Sequence, residues 1–188
     1  MTAIAARRLF SVEEYHRMAE AGIFTPHDRV ELLDGEIVQM SPIGKSHAVC
    51  VDRLNRLLSE RIARRAIVRI QNPVLLGGRS ELLPDVALAR PREDEYAGGH
   101  PQGADLLLVV EVADSTQEYD RLLKVPAYAR APVPEVWLID LKARALEVYR
   151  DPFSEGFKTV LAVRPPQSVA PQAFPDILIE VEPLLRGL

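Results

Sequence analysis

The chain has 188 residues, of which 47% are hydrophobic and 27% are charged, which is typical of a globular protein with a sizeable core. Its formal net charge of −4 excludes a protein that holds nucleic acid through overall positive charge, so such a contact would need a local basic surface. The single cysteine, Cys50, excludes an internal disulfide and is typical of a reducing compartment. We expect one domain over residues 1–188.

The N-terminal half is predicted to contain two helices and a hairpin. The opening sequence MTAIAARRLF lacks the apolar run of a signal peptide, and no run could cross a bilayer, so we expect a cytoplasmic protein without a membrane partner. Ser11 and Glu14 form a capping box that predicts a helix over 11–21. RVELLDGEIVQM predicts a hairpin that turns at Asp34 and Gly35. Ser46 is predicted to open a helix to about Arg65.

Three strands, a helix and a second hairpin are predicted next. The strands cover 66–76, 82–89 and 105–113, and the last is an apolar run typical of a strand buried on both faces. Ser115 and Glu118 form a second capping box, and Pro126 is expected to kink the following helix or end its regular part. EVWLIDLKARALEVYRD predicts a hairpin that turns near Lys142. The remaining strands are expected near 157–163 and 176–181.

This order of elements predicts a mixed α/β or α+β domain built on one sheet, with a core over about 28–150. One stretch could form a basic surface, because residues 53–69 carry six arginines. The alternative is a solvated helix face, which is the more common reason for such a charge run.

Glu111 is unusual because it stands at the end of a buried apolar run. A buried carboxylate costs several kcal/mol unless it is paired, protonated or bound to a cation, so this acid needs an explanation. Asp85 lies on the preceding predicted strand, after Pro84. Neighbouring strands are about 4.8 Å apart. Two carboxylates at matching heights on them can therefore share one divalent cation with oxygen ligands.

The chain resembles the Uma2 family (DUF820), within the PD-(D/E)xK restriction-endonuclease-like superfamily. The matching pieces occur in the order FSVEEY from Phe10, VELLDGEIV from Val30, Ser41-Pro42, His47, PDV from Pro84, EV from Glu111, DRLLK from Asp120, Tyr128 and EVWLID from Glu135. The short PD…E pattern is weak alone, but the ordered set is far more specific.

The resemblance implies a restriction-endonuclease-like core with a central mixed β-sheet flanked by helices, preceded by the N-terminal helix and hairpin. It also implies hydrolysis of nucleic-acid phosphodiester bonds, DNA being the expected partner, with Mg²⁺ or Mn²⁺ held by Asp85 and Glu111. A nuclease that cuts both strands of a duplex is often a symmetric dimer, so a homodimer is one expected assembly.

The chain departs from the superfamily motif at Ala113, where a lysine is expected two residues after Glu111. The resemblance implies a displaced lysine, and Lys124 is the candidate. Lysine is the rarer base in this chain, with four lysines against 19 arginines. Lys124 follows Asp120 by four positions and precedes Tyr128 by four, so the three are expected on one helix face. The alternative for Lys124 is a solvated ion pair with Asp120.

Three more residues are candidates for the same site. Glu31 is either a third acid of the site or an exposed acid of the hairpin. His47 lies on the apolar stripe of its helix, where a histidine is more often a core residue than a functional one. Gln71, on the strand before Pro84, is the third candidate, because its side chain could point toward the cation.

Two other functions compete with a nuclease. One is a binding module that recruits nucleic acid or a protein on a nuclease fold without cutting, which Ala113 and the acidic composition favour slightly. The other is a fold relic whose acids are only structural. Asp176 and Glu180 repeat the motif letters but are predicted to share one strand, so they are excluded as the site. The spacing of histidines and Cys50 does not indicate zinc.

Overall fold

The computed structural model describes residues 6–25 and 27–188. The helices are α1 (Val12–Glu20), α2 (Lys45–Ile62), α3 (Gln117–Tyr119), α4 (Val125–Arg130) and α5 (Val181–Leu185). A π-helical turn, Asp120–Lys124, joins α3 to α4, and we call the continuous segment 117–130 the composite helix. Within the described residues, no helix is long and apolar enough to span a membrane.

The strands form three sheets rather than the single sheet predicted. They are β1 (Val30–Leu33), β2 (Glu36–Gln39), β3 (Ile67–Ile70), β4 (Val74–Leu75), β5 (Glu81–Leu82), β6 (Val86–Ala89), β7 (Leu106–Ala113), β8 (Glu135–Asp140), β9 (Ala145–Phe153), β10 (Gly156–Val163), β11 (Ser168–Val169) and β12 (Ile179–Glu180). The central sheet has the order β10-β9-β8-β7-β6-β3, a smaller sheet has the order β2-β1-β5-β4, and β11 pairs with β12.

The central sheet is mixed, as expected from the resemblance. β7 and β8 run parallel, whereas the other neighbouring strands run antiparallel. Parallel neighbours need a crossover connection, and the composite helix supplies it. This crossover brings the helix that carries Lys124 back over the strand that carries Glu111.

Alternate residues of the central strands enter two apolar clusters, as expected for side chains that alternate between the faces of a sheet. Val86 and Leu88 join the cluster that contains α2 and the C-terminal segment. Ala87 and Val109 join the cluster that contains α4. Glu111 has the same parity as Val109, so its side chain is on the side of the composite helix.

Elements specified by local signals agree with the sequence prediction. Ser11 caps α1, and the side chain of Glu14 returns to the backbone N–H of Ser11, which completes the capping box. The hairpin of β1 and β2 turns at Asp34 and Gly35, both of which have positive φ. The later hairpin of β8 and β9 also forms as predicted.

The predicted strands 66–76 and 82–89 are each split in two, which corrects the prediction. In the first segment, β3 lies in the central sheet and β4 in the smaller sheet. In the second segment, β5 lies in the smaller sheet and β6 in the central sheet. Gln71 has a positive φ and is soon followed by Pro73, whose ring removes a backbone donor. Pro84 interrupts the second segment in the same way. Asp85 therefore lies in the break just before β6 rather than within a strand.

The starts of two helices also differ from the prediction. The N-cap of α2 is Gly44 rather than Ser46, and the helix ends at Ile62 because Ala63 adopts a positive φ. The N-cap of α3 is Thr116 rather than Ser115, and no side chain caps its backbone. Pro126 does not end the composite helix, whose irregular part is the preceding π-helical turn.

The C-terminal segment is not the long strand predicted over 176–181. Only Ile179 and Glu180 form a strand, and α5 follows directly. Asp176 lies outside this strand and forms an exposed ion pair with Arg65, so Asp176 and Glu180 do not share a strand.

The arginines of α2 are not simply a solvated face. Arg53 donates to the backbone carbonyls of Leu184 and Arg186, and Arg61 donates to that of Leu178. Part of the basic stretch thus holds the C-terminal segment against α2.

Candidate active site

A cleft of about 890 Å³ opens between the β1–β2 hairpin, the start of α2 and the composite helix. Its lining is rich in acids, namely Glu31, Asp85, Glu111, Asp114, Glu118 and Asp120. The basic side chains in its lining are Arg29 and Lys124, and His47 also contributes. So many carboxylates in one cleft favour a positively charged occupant.

Asp85 and Glu111 come together through the register of β6 and β7. The antiparallel register pairs Val86 with Val110, so Asp85, one residue before Val86, lies beside Glu111, one residue after Val110. The backbone N–H of Val112 donates to Asp85 Oδ2 at 2.9 Å, which ties the break before β6 to β7. Both carboxylates line the same cleft.

The carboxylate of Asp85 is held on both oxygens. His47 Nε2 lies 3.0 Å from Oδ2, and Gln71 Nε2 donates to Oδ1 at 3.2 Å. His47 thus faces the cleft rather than the core, and its Nδ1 is buried without a hydrogen-bond partner. Gln71 directly follows β3 and has a positive φ, and its side chain points toward Asp85.

Lys124 is buried beside Glu111. Its ammonium lies 2.8 Å from Glu111 Oε1 and 3.5 Å from Glu31 Oε2. The hydroxyl of Tyr128 donates to the same Oε1 at 2.5 Å. Lys124 is only 4% exposed, so it is not the solvated ion pair that was the alternative for this residue.

Glu31 is a buried member of the cluster rather than an exposed acid of the hairpin. It accepts hydrogen bonds from the Tyr119 hydroxyl and from the backbone N–H of Leu83, both at 3.3 Å. Asp120 is also buried and accepts a hydrogen bond from the Thr116 hydroxyl at 2.6 Å. The β1 strand and the composite helix thus each bring a further acid to the cleft.

The protonation of the cluster follows from burial and from the neighbouring charges. The pKa of Glu111 is raised to about 8, chiefly by burial. The charge of Lys124 lowers this pKa, whereas repulsion from Asp85 raises it further. Burial would also raise the pKa of Asp85, but the contact with His47 and the N–H of Val112 lower it overall.

Lys124 carries its charge in this environment. Burial alone would lower its pKa, but the attraction of Glu111, Glu31 and Asp120 outweighs burial and raises it. The ammonium is therefore a fixed positive charge among carboxylates, suited to stabilising negative charge rather than to accepting a proton.

The structure brings all eight candidate residues to one place. Six of them line the cleft, namely Glu31, Asp85, Glu111, Lys124, His47 and Asp120. Gln71 and Tyr128 stand behind the two central acids, where each donates to a carboxylate. Sequence reasoning missed Tyr119, although its position one residue before Asp120 on the same helix was an available signal.

The donor set fits a hard divalent cation. Carboxylate oxygens are the ligands that Mg²⁺ and Mn²⁺ prefer, and Mg²⁺ is often held by one or two carboxylates with water and substrate oxygens. Among residues 6–25 and 27–188, no group of three or more His, Cys, Asp or Glu side chains is arranged as a complete metal site. Asp85 and Glu111 would thus supply part of the shell.

Comparisons with known proteins give the family and a similar fold. The sequence model of Uma2, described as "Putative restriction endonuclease", matches residues 12–182. The fold is similar to a crystal structure from Anabaena variabilis ATCC 29413, titled "a putative nuclease belonging to DUF820", with a TM-score of 0.72 and 16% identity over 94% of this chain and 97% of the other. No curated protein matches the chain.

Proposed function

The chain belongs to the Uma2 family, and from this premise we propose that it is a divalent-cation-dependent endonuclease that hydrolyses phosphodiester bonds of nucleic acid, with DNA as the first substrate to test. Its fold is that of a nuclease-like protein. The observation that carries the proposal is the buried ammonium of Lys124, 2.8 Å from Glu111 on the strand beside Asp85. The chain thus has a positive charge near its paired acids although residue 113 is alanine.

In this proposal, Asp85 and Glu111 hold Mg²⁺ or Mn²⁺, and Glu31 adds negative charge at the same end of the cleft. When bound, such an ion lowers the pKa of a water molecule and offsets charge that develops on a phosphate. His47 and Gln71 keep the Asp85 carboxylate in one orientation, which lowers the cost of organising the site.

Lys124 has a separate part in the proposed reaction. Its raised pKa keeps it protonated, so it acts as a donor and a charge rather than as a general base. A fixed positive charge placed beside the reacting phosphate stabilises the extra negative charge of its pentacoordinate transition state. The acidic lining alone would repel a polyanion, so we expect nucleic acid to engage the site only when a cation is present.

The test is cleavage of supercoiled plasmid, single-stranded DNA and RNA in Mg²⁺, Mn²⁺ or EDTA. We expect cleavage in the presence of the ion and its loss in Asp85→Asn. The matched control is Asp176→Asn, which alters the other Pro-Asp pair of the chain at an exposed position outside the cleft.

Each outcome of this test has a distinct meaning. Equal cleavage by wild type and Asp85→Asn would contradict the proposed site. If wild type binds nucleic acid but does not cleave it, the result would support the binding module instead. Neither cleavage nor a metal-dependent rise in melting temperature would contradict the proposal and favour structural acids.

A further inference from the structure

The two oxygens of the Glu111 carboxylate have different surroundings. Oε1 accepts a hydrogen bond from the Tyr128 hydroxyl at 2.5 Å and lies 2.8 Å from the Lys124 ammonium. Oε2 has no hydrogen-bond partner among the described residues, yet it is not one of the buried polar atoms that lack a partner. Glu111 lines the cleft, and Oε2 is the oxygen of its carboxylate that accepts no hydrogen bond from the described residues. One oxygen is thus anchored and the other faces the cleft.

The donor that fixes this orientation is the tyrosine. Tyr128 is fully buried and packs in the apolar cluster under the composite helix, so the movement of its side chain is restricted. Lys124 has a flexible stem, and its ammonium also contacts Glu31. A carboxylate held by one flexible donor can rotate about its last bond, whereas a second donor on the same oxygen restricts that rotation.

We propose that Tyr128 is a positioning residue, whose hydroxyl holds Glu111 Oε1 so that Oε2 is presented to a divalent cation. The inference rests on the proposed cation site at Asp85 and Glu111. Residues that orient a metal ligand through a hydrogen bond commonly change metal affinity by about 10- to 100-fold when they are altered. A tyrosine that only satisfied a buried acid would affect folding but would not affect cation binding in this way.

The test is Tyr128→Phe, which removes one oxygen and keeps the ring in the core. The control is Tyr149→Phe, which removes a similar hydroxyl that donates to Glu147 at 2.5 Å outside the cleft. Free Mn²⁺ measured by electron paramagnetic resonance gives the dissociation constant of each variant, and circular dichroism verifies that each is folded. We expect Tyr128→Phe to weaken Mn²⁺ binding by about 10- to 100-fold and Tyr149→Phe to leave it unchanged.

A double-mutant cycle isolates the path through Glu111. In a Glu111→Gln background the charged ligand is gone, so Tyr128→Phe should weaken Mn²⁺ binding no further. In cleavage assays, Tyr128→Phe should raise the Mn²⁺ concentration needed for half-maximal rate far more than it lowers the rate at saturating Mn²⁺.

The outcomes separate this inference from the proposed function. If wild type binds no Mn²⁺, both are overturned. If wild type binds Mn²⁺ and Tyr128→Phe binds it equally well, only the positioning role is overturned, even where the melting temperature of the variant falls. An equal effect of Tyr128→Phe with and without Glu111 would also overturn it, because the hydroxyl would then act on another ligand.

Discussion

At the scale of single residues, Lys124 combines burial with a retained charge. It lies among Glu111, Glu31 and Asp120, and their attraction outweighs burial to raise its pKa. A lysine that stays protonated can donate hydrogen bonds and stabilise negative charge. In the proposed reaction it therefore supplies charge rather than a general base.

We predict that Lys124→Met will reduce phosphodiester cleavage by roughly two orders of magnitude or more, the usual effect of losing one contact to transition-state charge. Lys124→Arg should recover part of the rate, because the role proposed for Lys124 needs charge rather than proton transfer. Initial rates at saturating Mn²⁺ are the measurement. Lys142→Met, in the exposed turn between β8 and β9, is the control and should retain the wild-type rate. Full activity of Lys124→Met would contradict the role.

Glu111 gives a prediction about pH. Its pKa is raised from 4.5 to about 8 in the folded protein, mainly by burial. Between these values the folded protein holds a proton that the unfolded chain has released, so this group makes the free energy of unfolding fall as pH rises. Glu111→Gln should remove that contribution.

The measurement is urea denaturation of wild type and Glu111→Gln in EDTA, at several pH values from about 4.5 to about 8. The unfolding free energy of wild type should fall relative to that of the variant across this range. Parallel curves for the two proteins would show that Glu111 titrates normally. Carboxylates outside the cleft affect both proteins alike, so the difference reports Glu111 together with the charged groups that are coupled to it.

At the scale of elements, the π-helical turn of the composite helix sets the direction of the site residues. The N–H of Val125 donates to the carbonyl of Asp120, five residues back, which adds one residue to the turn. Side chains before and after the turn are thereby rotated relative to each other compared with a regular helix. In this arrangement Asp120, Lys124 and Tyr128 are all buried, and the last two contact Glu111.

We predict that deleting Leu122 will convert the π-helical turn to a regular one and abolish cleavage while the chain still folds. Leu122 is 66% exposed, so little packing is lost, but the change from a π-helical to a regular turn displaces Tyr119 and Asp120 relative to Lys124. Deleting Gly98, in the exposed loop before β7, is the control. Cleavage and circular dichroism are measured for both. An active Leu122 deletion would show that the turn does not position the site.

At the scale of the whole molecule, the C-terminal segment completes the core on the face of the central sheet opposite the composite helix. Ile179, Val181 and Leu184 are buried in the cluster that contains α2. Arg53 of α2 donates to the carbonyls of Leu184, in α5, and of Arg186, which follows α5. The segment thus supports the helix whose first turn carries His47.

We predict that Leu184→Ala will lower the free energy of unfolding by about 2–5 kcal/mol, because it leaves a cavity under α5. Leu178→Ala is the matched control, since Leu178 is 60% exposed and should change stability by less than about 0.5 kcal/mol. Urea denaturation measures both. Similar values for the two variants would show that the segment does not contribute to the core.

Sequence alone determined the elements whose signals are local. The capping box of Ser11, the turn at Asp34 and Gly35, and the apolar run of β7 each depend on residues a few positions apart. In these three places the local signal agrees with the observed backbone, whereas the equally local capping box of Ser115 and Glu118 does not form. The pairing of Asp85 with Glu111 was also predictable, because successive strands are often neighbours.

Only the tertiary structure decided which partner each site residue contacts. Pro73 and Pro84 were visible in the sequence, but the split of each segment between two sheets depends on which strands compete for its hydrogen bonds. His47 contacts Asp85 because the first turn of α2 lies at the cleft that Asp85 also lines. Lys124 reaches Glu111 because the composite helix connects the parallel strands β7 and β8. These contacts join residues on different elements, and their geometry follows from sheet register and packing, which no local pattern records.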